Sequence, residues 1–89
     1  MSRLLHLATL LGAILLTWSS GDVTKLVTIE RRLDPLRTWK TVAMVPGTYY
    51  LDTQPKEGKR YCYRARYSDR LVWAPTVCAR SGTAAEGQE

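Results

Sequence analysis

The sequence predicts an all-β fold, a seven-stranded antiparallel β-sandwich, on three observations. Short runs that alternate polar and apolar residues recur between turn signals along most of the 89 residues. No stretch spaces its apolar residues as an amphipathic helix would. Phe is absent, so Trp and Tyr must fill the interior, and their polar atoms suit a thin, layered core with wet edges. The length allows one modest core and no second. Hydrophobic residues at 45% are too many for a disordered chain. The reading is a sandwich over residues 1–80 and a flexible tail over 81–89, "SGTAAEGQE", which lacks bulky apolar groups.

The opening, "MSRLLHLATLLGAILLTWSS", supports two readings. Arg3, an apolar run from Leu4 to Trp18 and then small residues make a signal-like segment over residues 1–19, although no A-x-A cleavage pattern is present. Alternatively, "HLATL" and "AILLTW" are two strands that reverse at Leu11-Gly12, where glycine permits a tight turn. In the second strand Ile14, Leu16 and Trp18 fall on one face. Downstream strands need a partner, which favours the strand reading. The run is broken by His6 and shorter than the roughly 20 residues of a membrane span, so no span is expected.

"SSGD" reads as a loop. "KLVTIERR" alternates, with Val27, Ile29 and Arg31 on one face and Leu26, Thr28, Glu30 and Arg32 on the other. Pro35 marks a turn, because it withholds an N–H and fixes its own φ. "TWKTVAM" is a strand closed by Pro46-Gly47, and "TYYLD" another, closed by the polar "TQPKEGK". In "YCYRARY", Tyr61, Tyr63, Ala65 and Tyr67 point one way and Cys62, Arg64 and Arg66 the other. "SDR" turns the chain into a last strand, "LVWAPTVCA".

Thirteen Lys and Arg against eight Asp and Glu give a net charge of +5. Its carriers scatter from Arg3 to Arg80, and the densest group, Lys56 to Arg70, is interrupted by Glu57 and Asp69. Such scatter describes a solvated surface rather than a nucleic-acid groove. Cys62 and Cys78 fit neither a C-x-x-C redox pair nor a zinc pattern, leaving a single disulfide or two quiet buried thiols. His6 has no Ser, Cys or carboxylate arrangement to activate and reads as a strand-edge residue. Asp52 reads as a turn residue. Without a phosphate loop, an H-E-x-x-H or a calcium-type carboxylate cluster, no catalysis, metal or cofactor is expected.

Taken in order, these segments resemble a fibronectin type III domain. "ILLTW" is similar to that family's strand B, which ends in a core Trp, here Trp18. "VTIER" is similar to strand C, and "YYLDTQPKEGKRYCYRARY" to strand E, the E–F corner and strand F. Gly58 and Tyr61 stand where the family has its corner glycine and tyrosine, the latter a core ring whose hydroxyl bonds backbone at the bend. The resemblance runs from about Leu7 to Ala79. It departs from the family at Gln54-Pro55, where an apolar corner residue is usual, and in an unusually hydrophobic first strand. It implies a core containing Trp18, Ile29, Tyr61 and Tyr63. It also implies that Cys62 and Cys78 face each other on paired strands F and G and form a disulfide; two reduced thiols are the alternative in a reducing cytosol.

The resemblance further implies a domain that holds or binds rather than catalyses. The family's Arg-Gly-Asp and Trp-Ser-x-Trp-Ser signatures are absent. Two surfaces are candidates for binding: the outward basic residues Arg64 and Arg66 beside Glu30, with Arg70 in the following turn, and the aromatic set Trp39, Tyr49 and Trp73. An ion-pair ladder and edge packing are their bland counterparts. The expected role is a non-enzymatic module, extracellular or on a virion surface, docked on a larger assembly such as a capsid, a tail or a cell-surface layer. Its partners would be proteins, its own copies among the candidates. A secreted domain that binds a glycan or polyanion is the alternative.

Overall fold

The apolar opening folds as a β-hairpin, β1 (Leu5–Leu10) and β2 (Ala13–Trp18), in the register Leu5 to Trp18 and Leu7 to Leu16. The computed structural model describes residues 5–10, 13–82 and 85–88; the turn expected at Leu11-Gly12 lies outside them. Leu5, Ile14, Leu16 and Trp18 are buried, as the alternation of β2 requires. Burying the Trp18 indole needs a partner for its N–H, and Nε1 donates to the Gly47 carbonyl at 3.0 Å. Gly47 adopts φ 90°, a conformation that leaves this turn to glycine. A chain without residues 1–19 would lose β1 and β2 and leave β5 (Tyr49–Asp52) without its partner strand.

Three strands, β1-β2-β5, form one antiparallel sheet. The other has the order β4-β3-β6-β7-β8, with β3 (Val27–Leu33), β4 (Lys40–Val45), β6 (Arg60–Tyr67), β7 (Val77–Arg80) and β8 (Ala85–Gln88). The fold is therefore all-β, two antiparallel sheets packed as a sandwich with one helix-free core. Val27, Ile29, Tyr61, Tyr63, Ala65, Val77 and Ala79 from the larger sheet meet Leu5, Ile14, Leu16 and Trp18 from the smaller in one cluster. The Cα radius of gyration, 12.1 Å, matches the roughly 12 Å of a compact chain of this length. Both halves of the chain thus share one interior.

The structure differs from the sequence reading in three places. Residues Ala85–Gln88, expected within a flexible tail, pair with β7 and make an eighth strand. The last expected strand, "LVWAPTVCA", is a strand only from Val77. Pro75 cannot donate to a ladder, and of the preceding backbone it is the Ala74 N–H that reaches β6, at the Ala65 carbonyl, 2.8 Å. Finally, Asp52 serves the turn, its Oδ1 accepting the Gln54 N–H at 3.2 Å, but does so from the interior, being fully buried.

The corner between β5 and β6 is closed by Tyr61, whose buried ring places its hydroxyl to accept the Lys56 N–H at 2.9 Å. Gly58, at φ 82°, makes the bend, and its N–H donates to the Ser81 carbonyl at 2.9 Å. Pro55, where the family resemblance suggests a departure, is buried. Cys62 and Cys78 are direct partners across β6 and β7 and are disulfide-bonded. They point to the outer face, yet neither is exposed; the Arg60 guanidinium lies 3.9 Å from the Cys62 sulfur.

Candidate functional site

Outward positions on β3 and β6 set Glu30 opposite Arg64 and Thr28 opposite Arg66. Arg64 donates from Nε and Nη2 to Glu30 Oε1 at 2.9 and 2.6 Å. Its guanidinium lies 4.4 Å from the centroid of the Trp39 ring and 4.1 Å from that of Trp73. Two indole rings thus flank one planar cation, an arrangement that the flat, delocalised guanidinium suits better than an ammonium. Arg32 adds to the Trp39 side at 5.3 Å and Arg66 to the Trp73 side at 4.9 Å. The outer face of the larger sheet therefore carries a column in the order Arg32, Trp39, Arg64, Trp73, Arg66.

One end of the column controls the loop between β6 and β7. Arg66 Nη1 reaches the carbonyl oxygens of Tyr67, Ser68 and Arg70 at 3.3, 3.1 and 2.6 Å. The Thr28 and Ser68 hydroxyls lie 2.6 Å apart, and Lys25 pairs with Asp69 at 3.3 Å. The Arg70 N–H returns to the Tyr67 carbonyl at 3.0 Å. These bonds fix the loop before its tip; after it, Trp73 lies against Arg64 and Arg66 and the Ala74 N–H donates to the Ala65 carbonyl. The tip between holds Leu71 and Val72, 88% and 81% exposed. The loop is thus tied to the sheet by several bonds while two adjacent apolar side chains at its tip stay in water.

The other end of the column is held by Asp34. Arg60 Nη1 and Arg32 Nη1 donate to its two carboxylate oxygens at 2.9 and 3.0 Å. These bonds, Arg60's above all, hold the Asp34 carboxyl below the usual carboxylate range.

Between the sheets lies a second polar cluster. Asp52 Oδ2 accepts the Tyr63 hydroxyl at 2.7 Å and Arg31 Nη1 at 2.7 Å, and Oδ1 accepts the Gln54 N–H at 3.2 Å. Burial first, and the Asp52 carboxylate second, push the Tyr63 phenol far above its ordinary pKa, so the hydroxyl remains a donor. Burial works against the Arg31 charge, but its bond to Asp52 and that residue's negative charge outweigh this and raise its pKa. The cluster ties β5 to β3 and β6.

Of the residues that the sequence singles out, Arg64, Arg66, Trp39 and Trp73 come together in the column. Arg70 stands apart beside the loop tip, its side chain exposed. Tyr49 does not join the two tryptophans as an aromatic set; it lies on the outer face of the smaller sheet, because β5 pairs with β2. Trp18, Ile29, Tyr61 and Tyr63 are all buried in the common core. His6 is exposed and stands opposite Thr17. Leu71 and Val72 escaped the sequence reading because "LVWAPTVCA" looks like one strand. Pro75, placed four residues after Leu71, was the available signal that pairing starts later. Among the described residues no helix is long and apolar enough to cross a membrane.

No family model and no curated protein matches the chain. Solved structures do. A crystal structure of the pectate lyase PelI from Erwinia chrysanthemi, in complex with tetragalacturonic acid, is similar over 88% of this chain and 28% of that one, with a TM-score of 0.72 and 15% identity. The twitchin kinase region from C. elegans (Fn31-NL-kin-CRD-Ig26) is similar over 78% of this chain and 13% of that one, with a TM-score of 0.58 and 23% identity. The chain spans under a third of either protein, and identities this low speak for the fold alone. What they establish is a small all-β domain with two antiparallel sheets, of the immunoglobulin-like kind.

Proposed function

We infer that the chain is a non-enzymatic interaction module of the fibronectin type III type, which docks a partner protein through the loop between β6 and β7. The observation that carries this reading is the fixed loop tip. Leu71 and Val72 are almost fully exposed on a segment that Arg66, Ser68 and Asp69 hold in place. Two apolar side chains kept in water at a site with so little freedom lose little entropy on binding. Membership in the family is supported by the strand order, by the Tyr61 corner with Gly58 at its bend, and by Trp18 on β2. The disulfide suits a chain working outside a reducing cytosol, such as at a virion or cell surface.

A photo-crosslinking amino acid at position 72, in the full chain expressed in its native setting, tests the reading. One discrete heavier adduct is expected, abolished by Leu71→Asp. Adducts that form equally from position 72 and from the exposed Thr53, or that survive Leu71→Asp, would remove the loop as the contact.

A second reading, a secreted domain that binds an anionic glycan, is favoured by the outer basic face. It gains some weight from the similar pectate lyase having been crystallised with a tetragalacturonate. Binding to polygalacturonate that persists at about 0.3 M salt, where the Debye length is under about 8 Å, would support it. Binding that vanishes there would reduce it to charge attraction.

A further inference from the structure

We propose that the outer face of the smaller sheet is a self-association surface, through which two copies of this chain pack face to face. This goes beyond the loop contact, and the two surfaces belong to different sheets. The register of β1, β2 and β5 aligns two outward rows, His6–Thr17–Tyr49 and Ala8–Leu15–Leu51. None of these side chains is Lys, Arg, Asp or Glu in a chain that is 24% charged. Tyr49 and Leu51 are 67% and 41% exposed. The outer face of the larger sheet is the reverse, bearing Arg32, Arg60, Arg64, Arg66 and Arg80 around Glu30.

This segregation of charge selects the occupant. A copy that approached the larger sheet with its own larger sheet would press like charges together. Two smaller sheets meeting about a two-fold axis bring together, among the described residues, two rows without Lys, Arg, Asp or Glu. Sheets stack about 10 Å apart, so the two basic faces would end on the outside, about 30 Å from one another. That exceeds the Debye length of about 8 Å at physiological salt, and their repulsion is screened. A different protein would find none of these four charged residue types on the two rows to steer or register it, whereas a two-fold contact needs only that the rows, one polar and one apolar, match their own copies. The face is small, so the contact is of the weak, concentration-dependent kind.

Sedimentation of the full chain over a range of concentrations tests the proposal. The weight-average mass should rise toward twice that of the chain, and Leu51→Lys and Tyr49→Lys should each weaken association by more than about tenfold. Both positions are exposed on an edge strand, so the variants are expected to keep the fold, which an unchanged thermal midpoint checks. Raising salt should leave the dimer unchanged or tighten it, since no ion pair holds it. A chain that stays monomeric at the highest concentration overturns the proposal. So does a dimer that salt dissolves, or one lost in Met44→Lys on the opposite sheet and kept in Leu51→Lys. None of these outcomes depends on the loop tip, whose own test reads a different residue.

Discussion

Replacing Asp52 by alanine removes the group on which two core-facing side chains depend. Asp52 is 0% exposed and accepts bonds from Tyr63, Arg31 and the Gln54 N–H. Deleting one partner of a buried ion pair costs about 3–5 kcal/mol, because the other charge is left without compensation. Arg31 moderates this, since its side chain is 14% exposed and it also reaches Gln54 Oε1 at 3.4 Å. That points to the lower end, about 3 kcal/mol, and the orphaned Tyr63 hydroxyl adds about 1 kcal/mol. A chain of this length has about 4–13 kcal/mol in total, so Asp52→Ala removes a third of it or more. The midpoint of thermal unfolding should fall by about 16–30 °C. Asp52→Asn keeps an acceptor for Tyr63 and should lose roughly half as much. Asp52→Leu combined with Arg31→Met should be milder than Asp52→Ala alone, as no charge is then buried unpaired. Urea unfolding followed by tryptophan fluorescence measures all three. A loss below about 1 kcal/mol for Asp52→Ala, or a double variant that loses more than Asp52→Ala, would refute the assignment of Asp52 as a core anchor.

Reducing the Cys62–Cys78 bond, or replacing both cysteines by alanine, should lower stability by about 3 kcal/mol, read as a shift in urea midpoint with and without reductant. Tyr63, with its pKa raised in the folded state, ionises first in the unfolded chain. Stability should therefore hold below about pH 10 and fall above it by about 1.4 kcal/mol per pH unit; in Tyr63→Phe that alkaline slope should weaken. The Asp34 carboxyl is held below its ordinary pKa, so its support is present above about pH 4 and fades as the solution is acidified further. Asp34→Asn should flatten the pH–stability curve in that acid range. Arg64→Lys keeps the charge but gives up the paired bonds to Glu30 and the stacking between Trp39 and Trp73. It should cost about 1–2 kcal/mol and change the tryptophan emission of the folded protein.

The layers were legible in the sequence where alternation is strict. In "VTIER" the inward Val27 and Ile29 and the outward Thr28 and Glu30 lie as their parity requires, because a strand gives each residue only two faces. The places of Gly58 and Tyr61 came from the resemblance to the fibronectin type III corner, and the structure gives them the positive φ and the phenol's backbone partner that such a corner needs. Asp52 was half legible: its turn role, seen in the bond from the Gln54 N–H, could be read and its burial could not, since an Asp at a strand end gives the same local signal in either setting. The clue lay elsewhere in the chain. Arg31 shares a face with Val27 and Ile29, and a guanidinium turned toward the core requires a buried carboxylate. The alternating column of Arg and Trp was out of reach for a related reason. Trp39 and Trp73 both lie outside the strands, so no periodicity fixes where their rings fall. The eighth strand gives no compositional signal at all, being "AEGQ", and is recruited by the open edge of β7.

The proposed docking requires that the larger sheet, through Arg66 and its stack on Trp73, hold the loop tip rigid in the free protein. Backbone ¹⁵N order parameters for Ser68–Trp73 in the free protein test this most directly. Values near about 0.85, like those of the strands, are predicted, with a fall below about 0.6 in Arg66→Ala. Values below about 0.6 in the unaltered protein would contradict it, since the tip would then be a mobile loop without a pre-ordered contact.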